Sequence, residues 1–223
     1  MDYSKNGYLS GSTLKIIALI SMLIDHIAAY LINDSSIMLY HTMREIGRLA
    51  FPIFCFLIVE GYFKTTNIKK YMLRLFILAI ISEVPFDLPR TGSFGLSFDH
   101  QNVFFTLLFG LIVIYIIDNN KEKKWLQCIA IWVVAFLAYL LRFDYNAFGI
   151  IQILMFYYFK NITTYRIAGI IMLNLMMRQP AGACALFFTE FYNGKRGLKL
   201  KYIFYAFYPL HLLILYLIKL LFL

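Results

Sequence analysis

The chain has 223 residues, of which 61% are hydrophobic and 15% charged, and its mean hydropathy is +0.72. A soluble domain runs near 45–50% apolar and about 25% charged, so this composition excludes a soluble globular domain, a disordered tail and a disulfide-stapled secreted module. The formal charge of +9 does not indicate a nucleic-acid partner, because the basic residues sit in short stretches between apolar runs, where they orient a membrane protein.

A hydrocarbon core of about 30 Å takes about 20 apolar residues per helix. The expected fold is therefore all-α: one integral membrane domain over residues 1–223, a polytopic transmembrane helical bundle surrounded by lipid. The first apolar run, Leu14–Ile32, carries Asp25 and His26 and lacks a small-x-small cleavage site, so it should remain as a span. Ile46–Tyr62 is the second run and Tyr71–Leu88 the third. Pro89, Gly92 and Gly95 mark a longer loop after it. Asn102–Ile117 is the fourth run, Trp125–Leu141 the fifth and Ala147–Phe159 a short sixth. Thr164–Tyr192 is one long stretch interrupted at Arg178-Gln179-Pro180, and Tyr202–Leu221 closes the chain.

Loop charge sets the orientation. Lys64, Lys69 and Lys70, then Lys121, Lys123 and Lys124, then Lys160 and Arg166 occupy alternate loops; the others hold Arg44, Arg90 and Arg142. The richer loops, and the N-terminus with Lys5, are expected to be cytoplasmic. The cluster Lys195, Arg196, Lys199 and Lys201 joins them only if Thr164–Tyr192 turns back at Gln179-Pro180. That arrangement gives about nine spans; a single helix there gives about eight. The expected location is a membrane, multi-pass. Cys55, Cys128 and Cys184 lie inside apolar runs without the close spacing of a zinc site. They read as buried core residues, and no metal is expected.

Charges at the bilayer centre cost at least about 2.5–3.5 kcal/mol each, so the ionisable residues inside the runs point to function. These are Lys15, Asp25, His26, Arg48, Glu60, Arg74, Glu83, Glu190 and His211. On a helix, Lys15 and His26 fall roughly 20° apart around the axis and about 16 Å apart along it. One face thus offers a cation near the inner mouth and a titratable base deeper in. Asp25 points about 100° away from its neighbour, so it should meet another helix rather than hold the His26 ring. Arg44 and Arg48 open the second span, and Glu83 and Asp87 share one face around Pro85. A histidine can take and return a proton near neutral pH, as acyl transfer from a thioester requires. Lys15 and Arg74 suit the phosphates of such a donor. Proton-coupled transporters use the same residue types, and helix-gluing polar residues would suit a membrane scaffold. No G-x-x-x-x-G-K-[ST], H-E-x-x-H or G-x-S-x-G motif occurs.

Several strings resemble the TraX family of bacterial membrane proteins. They are Leu14-Lys15-Ile16-Ile17-Ala18 with Met22-Leu23-Ile24-Asp25-His26, Ile46-Gly47-Arg48-Leu49-Ala50-Phe51-Pro52, Val59-Glu60-Gly61-Tyr62, Tyr71-Met72-Leu73-Arg74, Glu83-Val84-Pro85-Phe86-Asp87, Asn102-Val103-Phe104-Phe105-Thr106 and Tyr208-Pro209-Leu210-His211. The founding TraX acetylates the amino terminus of conjugative pilin, and the family is similar to the larger membrane acyltransferase superfamily, whose signature places a basic residue ten residues before a histidine. The resemblance implies a membrane acetyltransferase that takes its acetyl group from acetyl-CoA. It implies His26 as base with Asp25 beside it in the catalytic group, and Lys15, Arg48 and Arg74 as donor-site cations. Glu60, Glu83, Asn102 and His211 are further polar interior positions. The acceptor is left open between an amine and a hydroxyl of a peptide or glycan, and a homo-oligomer is left open as well.

Overall fold

The computed structural model describes residues 7–32, 36–92, 99–199 and 201–222. The apolar runs become helices α1 (Gly11–Leu31), α3 (Ala50–Lys64), α4 (Ile68–Thr91), α5 (Val103–Asn119), α6 (Lys124–Leu140), α7 (Asn146–Tyr158), α8 (Thr163–Met176), α9 (Ala185–Glu190) and α10 (Lys201–Phe222), with α2 (Ile37–Gly47) between α1 and α3. Local chemistry starts several of them. Ser10 accepts from Thr13 N–H ahead of α1, Asn67 from Lys70 N–H ahead of α4, and Asn102 from Phe104 N–H ahead of α5, each satisfying a donor that a helix start leaves open. Among the described residues there is no strand, only the isolated bridges Leu9–Tyr192 and Gln101–Phe143. The chain is an all-α bundle.

α3, α5 and α7 form the middle of the bundle. Ile53, Val59, Leu111, Ile114, Ile150, Ile153 and Phe156 are fully or nearly fully buried there. The outer faces are also apolar: Trp132, Phe136, Leu73, Ile81 and Leu221 stand exposed on α6, α4 and α10. Lipid tails are as apolar as leucine, so such a surface suits a bilayer. α1, the continuous stretch Ile37–Lys64 and Tyr202–Phe222 are each long and apolar enough to cross a membrane. α7 and α8, with 13 and 14 residues, reach only about 20 Å at 1.5 Å per residue.

Thr164–Tyr192 folds back on itself. α8 ends at Met176, a 3-10 turn spans Pro180–Cys184, and α9 returns. Arg166, at the start of α8, donates to both oxygens of Glu190, at the end of α9, at 2.8 and 2.9 Å from Nη2. It also donates to the Phe159 and Lys160 carbonyls. This hairpin returns the chain to the end of the bundle where α1 begins. There Gly11 N–H donates to the Lys195 carbonyl at 2.8 Å and Ser12 N–H to that of Arg196 at 2.9 Å. Lys195 and Arg196 thus share one end of the bundle with the start of α1. Asp118 ties the same end together, accepting from Tyr62 on α3 and Tyr157 on α7 and pairing with Lys121.

Three expectations are corrected. Helix α4 continues through Pro85 and Pro89, and the loop begins only at Gly92, whose φ of 68° is the left-handed cap that glycine adopts without cost; Gly95 lies outside the described residues. Helix α2 occupies a stretch that the hydropathy runs passed over, because its charged and polar residues dilute an amphipathic pattern. Only Cys55 is buried, whereas Cys128 and Cys184 are exposed on the outer face. An apolar run in a membrane protein has a lipid side as well as a core side.

Candidate functional site

α1 and α10 run parallel, and the face of α1 bearing Lys15 and His26 looks at α10. Lys15 Nζ lies 5.2 Å from the ring centroid of Phe204. Farther along, His26 Nδ1 lies 2.7 Å from His211 Nε2. The periodicity argument placed two residues on one stripe, and one neighbouring helix meets both.

Between these two levels lies a cavity of about 340 Å³, enclosed by α1, α3, α4, α5, α10 and the loop before α10. Lys15, Lys64, Arg74 and Arg196 give it four basic side chains, against one carboxylate, Glu60. Lys64 pairs with Glu60 at 3.0 Å and donates to the Tyr192 hydroxyl at 2.8 Å. Lys15 makes no ion pair among the described residues. Arg74 rests over the Tyr71 ring with its centroid at 5.7 Å, and its buried Nε has no hydrogen-bond partner there. Two cations without a carboxylate partner facing one space are costly unless an anion fills it. Leu19, Met22, Phe104 and Tyr208 line the deeper part.

Tyr208 separates the cavity from the histidine pair. Its ring is edge-on to His26, with centroids 6.4 Å apart, and to His211, at 5.5 Å. Phe104 packs edge-on against Tyr208 from α5 at 4.7 Å. His26 stacks on Tyr30 at 5.7 Å, and His211 on Phe207 at 4.9 Å.

Asp25, Arg48, Glu83 and Asn102 lie outside the lining of the cavity. Asp25 turns away from His26 and accepts from Arg44 Nη1 at 2.7 Å. Gly47 packs directly on Asp25, where only a missing side chain leaves room. Arg48 does not join the cavity: its Nη2 lies 4.0 Å from Asp25 Oδ1. The cation that shares the cavity with Lys15 and Arg74 in its place is Arg196, with Lys64 at the mouth. Glu83 and Asn102 form a link between α4 and α5. Asn102 Nδ2 donates to the Ala79 carbonyl at 2.8 Å and to Glu83 Oε2, and its Oδ1 caps α5. The reading from sequence passed over Lys64, Arg196 and Tyr208 as site residues. Arg196 lay in a loop whose place over the cavity follows only from the α8–α9 hairpin. Among the described residues, no group of three His, Cys, Asp or Glu side chains is placed to hold a metal ion.

A family model described as TraX protein matches residues 10–219. The chain is 31% identical over 239 aligned residues to the "Probable fimbrial assembly protein FimC, serogroup H1" of Dichelobacter nodosus, covering 95% of this chain and 96% of that one. It is 31% identical over 107 residues to an uncharacterized protein of Rickettsia prowazekii (strain Madrid E), covering 48% of this chain and 37% of that protein. No solved structure matches the chain.

Proposed function

The chain belongs to the TraX family, and on that premise we propose that it is a membrane-embedded acetyltransferase carrying an acetyl group from acetyl-CoA to an amine. One observation carries the reading: a cationic cavity, with Lys15 and Arg74 unpaired, ends at Tyr208 directly in front of His26 and His211. Cations without carboxylate partners suit the phosphates of a coenzyme A donor. The cavity is at the small end of ligand pockets, which run from about 300 to 1,000 Å³. It takes the diphosphate, against Lys15 and Arg74, and the thioester arm, and the adenosine stays at the mouth near Lys64 and Arg196. His26 then removes the proton of the attacking amine. The multi-pass chain sits in a bacterial inner membrane with its basic end in the cytoplasm, so the donor arrives from the side that makes it. The fimbrial name of the Dichelobacter relative favours a pilus-type subunit as acceptor, its amino group being the amine.

Calorimetry of acetyl-CoA with purified protein in detergent tests the donor site. Wild type should bind. Lys15→Ala should bind about 10- to 100-fold more weakly, the worth of one hydrogen bond to a charged group. His26→Ala should bind like wild type and fail to acetylate a peptide amine. Absence of binding by folded, monodisperse wild type at saturating donor refutes the reading. Proton flux in proteoliposomes without coenzyme A chemistry would then favour a transporter.

A further inference from the structure

The second nitrogen of His211 decides how the histidine pair is wired. His211 Nδ1 lies 2.8 Å from the Phe207 carbonyl oxygen. A carbonyl only accepts, so this nitrogen carries a hydrogen. A neutral imidazole has a single N–H, so His211 Nε2 holds a lone pair. That lone pair faces His26 Nδ1 at 2.7 Å, which makes His26 Nδ1 the donor. The one proton of neutral His26 is then committed to Nδ1, and its Nε2 is bare.

The surroundings hold this arrangement. The two rings lie 5.0 Å apart at 19°, clamped between Tyr30 and Phe207, with Tyr208 against both edges. His211 is only 5% exposed, so little water competes for its nitrogens. Asp25, the neighbouring carboxylate, faces away and is occupied by Arg44.

We propose that His211 is the positioning residue of the site: it holds His26 in the Nδ1–H tautomer and so presents His26 Nε2 as the free base. The word base rests on the acetyltransferase reading; the tautomer does not. In the transfer, the amine nitrogen bonds to the thioester carbonyl carbon and the C–S bond breaks. The amine proton goes to His26 Nε2 and passes from there to the departing thiolate, leaving the amide and coenzyme A. Throughout, His26 Nδ1–H stays donated to His211 Nε2, so the ring keeps its orientation in both protonation states.

Nitrogen NMR of histidine-labelled protein in lipid nanodiscs, at about pH 8 where histidine is ordinarily neutral, reads the tautomer directly. His26 signals are identified by their loss in His26→Ala. The expected wild-type spectrum shows His26 protonated at Nδ1 and unprotonated at Nε2. In His211→Leu the proton should move to Nε2, and transfer should fall by about a hundredfold or more, the low end of a general base's contribution, with acetyl-CoA affinity unchanged. His211→Gln should restore both tautomer and rate, because its carbonyl accepts from His26 and its amide donates to Phe207. A wild-type His26 carrying its proton on Nε2 overturns the proposal. So does a folded His211→Leu that keeps the wild-type tautomer and rate. If His211→Leu does not fold, the wild-type spectrum and His211→Gln still decide. If wild type transfers no acetyl group, the acetyltransferase reading falls, and the spectrum alone decides the positioning role.

Discussion

Gly47→Ala should loosen the whole face that holds His26. The added methyl would overlap Cβ and Oδ1 of Asp25 and lie 2.5 Å from its Cγ. Carbon atoms in contact stay about 3.5–4.0 Å apart, so α1 and α2 must separate by roughly 1 Å. Cβ adjoins the α1 backbone, so turning the carboxylate aside does not relieve the overlap. Overpacking of this kind costs about 1–3 kcal/mol. Displacing Asp25 also weakens its 2.7 Å bond from Arg44; that partly exposed ion pair adds about 1 kcal/mol. The total is about 2–4 kcal/mol. At about 2–4 °C per kcal/mol for a chain of this length, the midpoint should fall by about 4–16 °C. Thermal unfolding in a fixed detergent, followed by circular dichroism, measures it. Transfer should fall as well, because His26 adjoins the displaced residue, while acetyl-CoA binding at the far end of α1 persists. An unfolding midpoint equal to wild type would refute the close α1–α2 approach on which this argument depends.

Two other substitutions separate roles that the sequence left together. Arg48→Ala should leave acetyl-CoA affinity unchanged in calorimetry while lowering the unfolding midpoint, because Arg48 faces Asp25 and not the cavity; a loss of affinity matching that of Lys15→Ala would return Arg48 to the donor site. Arg166→Met should destabilise the protein by about 1–3 kcal/mol, less than the 3–5 kcal/mol of a fully buried pair because the Glu190 side chain is 28% exposed. Adding Glu190→Gln should then cost little more, and additive losses in thermal unfolding would contradict a hairpin closed by this pair.

Much of this protein is decided locally and was legible residue by residue. Hydropathy summed along the chain fixed the class, and most helix boundaries fell within about three residues of the apolar runs. Helical periodicity alone put Lys15 and His26 on one stripe, and the charge pattern required the return at Gln179-Pro180. The cost of a charge in lipid picked out the polar interior. What the tertiary structure decided is which helix each stripe meets. His26 finds its partner 185 residues away on α10, Arg74 and Arg196 converge from α4 and a loop, and Arg48 is diverted to Asp25. Asp25 itself is engaged by a helix that hydropathy did not register. The same limit explains the cysteines: lipid and protein core are equally apolar, so hydropathy cannot tell which side of a helix faces inward. Pairing between distant segments depends on the arrangement of the whole bundle, and no local window of sequence contains it.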